Sequence, residues 1–419
     1  MVRIFKFGGA SVKDAGAVRN MTSIVQRFSG DRLVIVLSAM GKTTNALENV
    51  NRLRFDGSSY AEPLAEIRAY HEHIIDELFG SNPAGRSILE KHLCDLDAVL
   101  AKPCTDQFDR EYDQIIVFGE LISTAIIDAW FQHCSIDSQW FDARNIIATD
   151  SRYRDARVDW ERSAGQLAEI HAALNSGQRC VLQGFIGKDS FGNSTSLGRE
   201  GSDFTASIMA YLLNAADVTI WKDVPGMLNA DPKWFKNTVK LDAISFKEAI
   251  ELAYYGASVI HPKTIKPLQN KGIPLYIKSF LDPEAAGTII QESTANDGQV
   301  PSYIFKSNQV LLSIATRDFS FVVEDNLKEI FDAIATAGVR IHLMENSAIS
   351  FSVVFDYDDY KLKQLTEALK SKYSVRYNEP LTLITIRHWD DATVETLTQG
   401  REILLEQRSR HTLRILTRS

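Results

Sequence analysis

Cysteine is scarce in this 419-residue sequence, which has four and no CxxC pair among them. The chain therefore lacks the disulfide framework of a small secreted domain, which indicates a reducing compartment. No apolar run approaches the ~18 residues that a membrane-spanning helix needs. The first residues carry charges at Arg3 and Lys6 and lack the apolar stretch of a signal peptide. We expect a soluble, cytoplasmic protein that does not contact membranes.

An excess of positive charge is also missing. The chain has 46 Lys and Arg against 54 Asp and Glu, a formal net charge of −8, which argues against extended contact with nucleic acid. One basic stretch, residues 401–418, has five arginines against two glutamates and is typical of a solvated or interface surface. Hydrophobic residues at 45% and charged residues at 24% exclude wholesale disorder. The length predicts two or three folding units.

Strands and helices alternate in the first part of the chain. The predicted strands are Val2–Phe7, Leu33–Leu37, Cys180–Phe185, Val218–Trp221 and Pro274–Ile277. The predicted helices are Ala15–Phe28, Thr44–Arg54, Trp160–Asn175, Asp203–Leu213 and Phe246–Tyr255. This order predicts an α/β domain with a mainly parallel sheet. Residues from about 58 to 133 carry almost no strand signal and predict a helical insertion.

The last part of the chain has a different pattern. Residues 283–287 and 293–301 are rich in Gly, Pro and small polar residues, which is typical of a linker. The order strand–helix–strand–strand–helix–strand that follows predicts a ferredoxin-like unit. Leu311–Arg317 is similar to Thr382–Arg387, which favours a second copy with room for only part of the pattern.

Two glycine-containing segments are candidates for anion binding. Lys6–Ser11 ends a strand in two glycines, which let backbone N–H groups approach an anion beside the lysine charge. Thr195–Asp203 places Arg199 between two glycines ahead of a helix, a combination that can clamp an anion. We expect Ser202 or Asp203 to cap that helix.

Glu120 lies in a nearly continuous apolar stretch, Ile115–Phe131. A helix this apolar is expected to be buried, and an unpaired carboxylate inside it is costly. Glu120 therefore requires a cationic partner. The sequence leaves open whether that partner is an internal Lys or Arg or the ammonium group of a ligand.

Together these motifs resemble aspartate kinase (aspartokinase) of the amino-acid kinase family. The matching stretches are Lys6–Ser11, Leu37–Leu47, Phe118–Glu120, Gly184–Gly187, Leu197–Asp203, Trp221–Pro232 and Gly256–Pro262. They occur in family order over roughly the first 280 residues, and the remainder resembles the ACT regulatory domains that follow this catalytic domain. The chain carries no dinucleotide-binding fingerprint after the ACT region, so we expect a monofunctional enzyme rather than the fusion with homoserine dehydrogenase.

The resemblance implies a carbamate-kinase-like, three-layer α/β sandwich over residues 1–292, with its helical insertion at about 58–133. Residues 293–419 are then the ACT region, with a first unit at about 309–380 and a second, partial unit at about 381–419. Unpaired edges of the ACT sheets favour a homodimer or a higher homo-oligomer.

The implied reaction is phosphoryl transfer from MgATP to the side-chain carboxylate of L-aspartate, which gives 4-phospho-L-aspartate and opens lysine, threonine and methionine biosynthesis. A carboxylate is already an anionic nucleophile near neutral pH, so no general base is required. Catalysis then consists of positioning and positive charge.

The resemblance assigns three sets of residues. The catalytic set is Lys6, Arg199 and Asp203. The aspartate-binding set is Ser38, Thr44, Glu120, Phe185, Arg199 and Ser202. The ATP-binding set is Lys6, Gly8, Gly9, Ser11, Lys222, Asp223, Leu228, Asp231 and Lys233. No protein side chain is assigned to a metal, because Mg²⁺ is carried by ATP.

The chain departs from the family pattern at several positions. Ser258 replaces a nucleotide-side lysine, and Leu228 replaces an aromatic residue near adenine. His342 and Ala348 replace acidic residues associated with lysine binding, so the ACT region could take lysine, threonine or no effector. Two other functions are compatible with the motifs: a kinase of the same fold with another carboxylate or carbamate substrate, and an amino-acid sensor that has lost catalysis.

Overall fold

The computed structural model describes residues 1–257, 260–318 and 320–418. The chain divides into two compact units. The first comprises Met1–Met227, Lys240–Ile250 and Ser258–Asp297, and the second comprises Leu228–Val239, Glu251–Ala257 and Gly298–Ser419.

The first unit contains an eight-stranded sheet in the order β3-β4-β2-β1-β7-β9-β10-β8 and a two-stranded hairpin, β5-β6. The strands are β1 (Val2–Phe7), β2 (Arg32–Leu37), β3 (Ser138–Phe141), β4 (Arg179–Gln183), β5 (Ile186–Lys188), β6 (Ser194–Ser196), β7 (Asp217–Lys222), β8 (Ala243–Ser245), β9 (Leu275–Ser279) and β10 (Thr288–Gln291). Neighbours in the large sheet are parallel except β9 and β10. The predicted mainly parallel α/β sheet is confirmed.

Helices cover both faces of this sheet. Every residue of Leu33–Leu37 in β2 is fully buried, and successive strand residues point to opposite faces. The sheet is therefore the middle of three layers. The helices up to residue 271 are α1 (Ala15–Arg27), α2 (Thr43–Phe55), α3 (Ala61–Phe79), α4 (Ala84–Leu100), α5 (Phe108–Ile116), α6 (Phe118–His133), α7 (Trp160–Ala164), α8 (Ala168–Ser176), α9 (Gly201–Leu213), α10 (Phe246–Tyr255) and α11 (Pro262–Lys271).

The stretch between β2 and β3 is helical, and a buried ion pair connects two of its helices. Arg54 Nη1 of α2 lies 2.6 Å from Glu111 Oε2 of α5, and the same guanidinium donates to the carbonyl oxygens of Leu100 and Lys102. The combined stretch Phe108–His133 is long and apolar enough to cross a membrane by length and composition, and it is mostly buried inside the protein. Such burial is typical of a core helix.

The second unit contains a six-stranded antiparallel sheet in the order β12-β13-β11-β14-β16-β15. Its elements are β11 (Ser302–Thr316), α12 (Glu324–Thr336), β12 (Ile341–Asn346), β13 (Ser350–Asp356), α13 (Asp359–Leu369), β14 (Tyr373–Arg387), α14 (Asp391–Thr398), β15 (Glu402–Arg408) and β16 (Thr412–Arg418). The order from β11 to β14 is the one predicted for a ferredoxin-like unit.

One apolar cluster, which includes Leu343 and Leu416, lies on one face of the six-stranded sheet, and two separate cores lie on the other face. One lies beneath the C-terminal part of β11 and the helices α12 and α13. The other is built from Tyr303, Leu397 and apolar residues of β14 and β16. The similar segments of the sequence lie on β11 and β14, which are adjacent strands. Each of these two strands is 15 residues long and is therefore long enough to contribute residues to both cores.

Candidate active site

The carboxyl ends of β4, β2, β1 and β7 meet at one edge of the large sheet, because these neighbouring strands are parallel. Four residues at or just beyond the ends of these strands line one cavity of about 560 Å³: Lys6, Ser38, Phe185 and Lys222. Ligand sites of open α/β sheets occur at this edge. The cavity is the candidate active site.

Two lysines flank one buried aspartate in this cavity. Lys6 Nζ lies 2.6 Å from Asp203 Oδ1, and Lys222 Nζ lies 3.3 Å from Asp203 Oδ2. Burial raises the pKa of Asp203, but the two ammonium groups outweigh it and hold that pKa below its ordinary value. Asp203 is therefore ionised at neutral pH, and it fixes the direction of both lysine side chains.

Glycine is required at two positions beside the cavity. A Cβ on Gly9 would lie 2.8 Å from the carbonyl oxygen of Gly41, and a Cβ on Gly184 would lie 2.4 Å from the Ser202 side chain. Both distances are too short for any other residue. Glycine at position 9 therefore lets the Lys6–Ser11 turn pack directly against the backbone of residues 39–41.

Glu120 projects from the first turn of α6 into the cavity and has an incomplete set of partners. Its Oε1 accepts a hydrogen bond from the Ala39 N–H at 3.3 Å. Its Oε2 is buried and accepts no hydrogen bond from the residues that the structure describes. Burial raises the pKa of Glu120 to about 8. No internal Lys or Arg of the described chain is ion-paired with it, which favours the ligand ammonium over the internal cation.

The Arg199 loop approaches the cavity through unusual backbone conformations. Gly198 has a φ of +77° and Glu200 a φ of +54°, and Arg199 is exposed and lines the cavity. The prediction that Ser202 or Asp203 caps α9 is wrong. The helix begins at Gly201, with Glu200 at the N-cap and no side-chain cap. Asp203 lies inside the first turn, where its carboxylate is held by the two lysines.

Most of the predicted site residues converge on this cavity. Its lining includes these predicted positions: Lys6, Gly9, Ser38, Thr44, Glu120, Phe185, Arg199, Ser202, Asp203 and Lys222. Gly8 lies beside the cavity, since a Cβ there would be 3.3 Å from Lys6 Nζ. Asp223 is exposed at the end of β7, and the Ser11 hydroxyl is buried with no hydrogen-bond partner in the described part of the chain.

Other positions named in the sequence analysis lie in the second unit or outside the described residues. Leu228, Asp231 and Lys233 belong to the second unit. Ser258 lies outside the described residues. The assignment of Leu228, Asp231 and Lys233 to the nucleotide remains a prediction.

Cavity residues from two helices and a turn are not among the positions predicted from the sequence. Asn45 and Glu48 come from α2, Tyr112 from α5, and Arg154 from the turn after β3. The α2 residues follow the predicted Thr44 on the same helix, so their proximity could have been inferred. Arg154 has no motif around it, and only the folded chain reveals it.

Comparison with known proteins points to one family. A family model described as the amino acid kinase family matches residues 1–279. The chain is 31% identical over 395 residues to lysine-sensitive aspartokinase 3 of Escherichia coli, covering 91% of this chain and 86% of that protein.

Two solved structures resemble the whole chain. E. coli aspartokinase III in complex with aspartate and ADP matches with a TM-score of 0.81 at 29% identity, covering 100% of this chain and 96% of that one. The same enzyme in complex with lysine and aspartate matches with a TM-score of 0.82 at 29% identity, covering 99% and 95%.

Proposed function

Because the chain belongs to the amino acid kinase family, we infer that it is an aspartokinase. It transfers the γ-phosphoryl group of ATP to the side-chain carboxylate of L-aspartate and forms 4-phospho-L-aspartate, the entry to lysine, threonine and methionine biosynthesis. Its E. coli relative binds aspartate and ADP. The carrying observation in this chain is the buried, half-satisfied Glu120 carboxylate in the same cavity as the Lys6–Asp203 pair.

The substrate side of the cavity has charges suited to an amino acid with two carboxylates. Glu120 Oε2 accepts the α-ammonium group, which supplies the missing partner of a buried carboxylate. Arg199 offers two parallel N–H groups to the α-carboxylate. The side-chain carboxylate then points toward Lys6, near the Ser38, Thr44 and Ser202 side chains.

The phosphate side has concentrated positive charge. Lys6 and Lys222, aligned by Asp203, neutralise the transferring phosphoryl group and the leaving phosphate, and the Gly8 and Gly9 N–H groups donate to phosphate oxygens. Within the described residues, no group of three or more His, Cys, Asp or Glu side chains is arranged to hold a metal. Following the family resemblance, we assign Mg²⁺ to the MgATP substrate.

The reaction needs no proton transfer by the protein. An oxygen of the aspartate side-chain carboxylate attacks the γ-phosphorus, the bond to the bridging oxygen of ATP breaks, and ADP leaves with the electron pair. The nucleophile is already ionised near pH 7. The chain therefore contributes orientation and charge, since two anions must be held in line against their repulsion.

The second unit is assigned to regulation under this proposal. The antiparallel sheet leaves β12 and β15 as its two edge strands, and we assign homodimer formation to this sheet. Near the effector positions, His342 Nε2 lies 2.9 Å from Asp356, and His342 Nδ1 lies 3.2 Å from Lys306 Nζ. Lysine and threonine are the candidate effectors of this cytoplasmic enzyme.

Trapping of the acyl phosphate with hydroxylamine tests the function. The protein incubated with MgATP and aspartate should form the aspartyl hydroxamate, because an acyl phosphate reacts readily with this nucleophile. Separate reactions with glutamate and N-acetylglutamate are the controls. The side-chain carboxylate of glutamate is one methylene farther from its ammonium group, and N-acetylglutamate has no ammonium group to pair with Glu120. Equal rates with glutamate would overturn the substrate assignment, and aspartate binding without ATP turnover would support the sensor alternative. Titration with lysine and threonine in the same assay identifies the effector.

A further inference from the structure

A second arginine, Arg154, lines the candidate active site together with Arg199. It lies in the turn 150–155 that follows β3. Its guanidinium carbon lies 4.3 Å from the centre of the Tyr112 ring, a cation–π contact that keeps the side chain along the cavity wall. Neither the sequence motifs nor the family resemblance assigns it a role.

The backbone of Arg154 is strained, with a φ of +66°. A long side chain at this φ is costly, and glycine would remove the cost. Seven non-glycine residues in the described part of the chain have positive φ, and three of them, Arg154, Phe185 and Glu200, line this one cavity. Strain of this kind collects at functional sites. The chain therefore has an arginine at a position where glycine would fit the backbone better.

The turn around Arg154 is anchored to the Arg199 loop. Asp113 Oδ2 accepts hydrogen bonds from the Arg154 N–H at 3.0 Å and from the Ser196 N–H at 2.8 Å. A Cβ on Gly198 would lie 3.1 Å from the Arg154 carbonyl oxygen, so the two backbones are in close contact. The two arginines therefore start from adjacent, mutually supported segments.

The guanidinium of Arg154 is held more loosely than its backbone. Its charged contacts are with Glu48 and Asp109, each at 3.4 Å. Both partners are substantially exposed, and long, exposed ion pairs contribute little. The guanidinium can therefore exchange these partners for a bound carboxylate with little loss of free energy.

We propose that Arg154 is a further substrate-binding residue that binds the α-carboxylate of aspartate together with Arg199. This inference rests on the proposed function. Two arginines that line one cavity from adjacent backbone segments favour an amino acid with a free α-carboxylate and discriminate against analogues in which that group is neutral.

Steady-state kinetics of Arg154→Gly and Arg154→Lys test the proposal. For Arg154→Gly we expect the KM for aspartate to rise about tenfold or more, with kcat within threefold of wild type and the KM for ATP unchanged. Arg154→Lys should restore part of the affinity, because it keeps the charge. The melting temperature of Arg154→Gly should stay equal or rise, since the strain is relieved, whereas a merely structural role would lower it. Arg152→Ala, in the same turn and ion-paired with Asp150 at 3.6 Å, is the matched control and should have the same KM for aspartate as wild type.

L-Isoasparagine, in which the α-carboxylate is an amide, provides the second readout. Wild type should prefer aspartate over this analogue strongly, and Arg154→Gly should lose about tenfold of that preference. Equal increases in KM for both substrates, or an unchanged KM for aspartate, would overturn the proposal while leaving the aspartokinase function intact. Absence of hydroxamate with wild-type protein and aspartate would overturn both.

Discussion

Replacement of Lys6 by alanine is expected to lower kcat for hydroxamate formation about 10³-fold. Lys6 is the buried ammonium group closest to Asp203, and it faces the cavity at the end of β1. Its loss removes a positive charge at the position where negative charge moves during phosphoryl transfer. The KM for aspartate should change much less, because we assign Glu120 and the arginines to the opposite end of the substrate.

Lys13→Ala is the control for this variant. Lys13 is also close to β1 in sequence, but it is exposed and does not line the cavity. Calorimetric binding of aspartate shows whether the Lys6→Ala protein is folded and competent to bind. A folded Lys6→Ala protein whose kcat is within tenfold of wild type would contradict the role assigned to the lysine.

Replacement of Glu120 by glutamine is expected to raise the KM for aspartate about 100-fold, because an amide cannot neutralise the substrate ammonium in a buried site.

The ligand-free Glu120→Gln protein is expected to be more stable than wild type. Folding raises the pKa of Glu120 from its ordinary value of 4.5 to about 8. Between these pH values the unfolded chain releases the proton and the folded protein keeps it, so the free energy of unfolding of wild type falls as the pH rises. Relative to wild type, the free energy of unfolding of Glu120→Gln should be higher by on the order of 3 kcal/mol at pH 7 and unchanged at pH 4.5.

The same shift predicts a pH dependence of substrate binding. Only ionised Glu120 attracts the ammonium group, so the KM of wild type should fall by up to about tenfold per pH unit as the pH rises from 6 towards 8. The KM of Glu120→Gln should lack this dependence.

Asp128→Asn is the matched control, since Asp128 lies on the same helix and its pKa is raised by burial. Its carboxylate already accepts hydrogen bonds from Ser138 and Gln132. The KM of Asp128→Asn for aspartate should therefore stay near that of wild type. A Glu120→Gln protein with normal KM would contradict the ammonium site.

Buried strands and amphipathic helices could be predicted because their patterns are local. Val2–Phe7 and Phe246–Tyr255 have the predicted bounds. The edge strand Ser138–Phe141 was missed because its central residues are partly exposed, so it has no apolar run. The predicted helix Trp160–Asn175 is interrupted after Ala164, where Gly165 weakens helical pairing.

Site residues could be predicted only where the local sequence around them is unusual. Glu120 was identifiable because a carboxylate in an apolar helix requires a partner, and Lys6 because two glycines follow it. Arg154 has an ordinary polar neighbourhood in sequence. Its importance depends on a backbone angle and on contact with residues about 40 positions away, such as Asp113 and Gly198. Long-range geometry of this kind is absent from local composition.

The central claim is that one cavity holds aspartate between Glu120 and Lys6 so that its side-chain carboxylate meets the γ-phosphate. A crystal structure of the protein with aspartate and a non-hydrolysable ATP analogue tests this most directly. We predict the α-ammonium within hydrogen-bonding distance of Glu120 Oε2, and a side-chain carboxylate oxygen facing the γ-phosphorus beside Lys6 Nζ. Aspartate bound with its ammonium away from Glu120, or nucleotide phosphates remote from Lys6, would contradict the account.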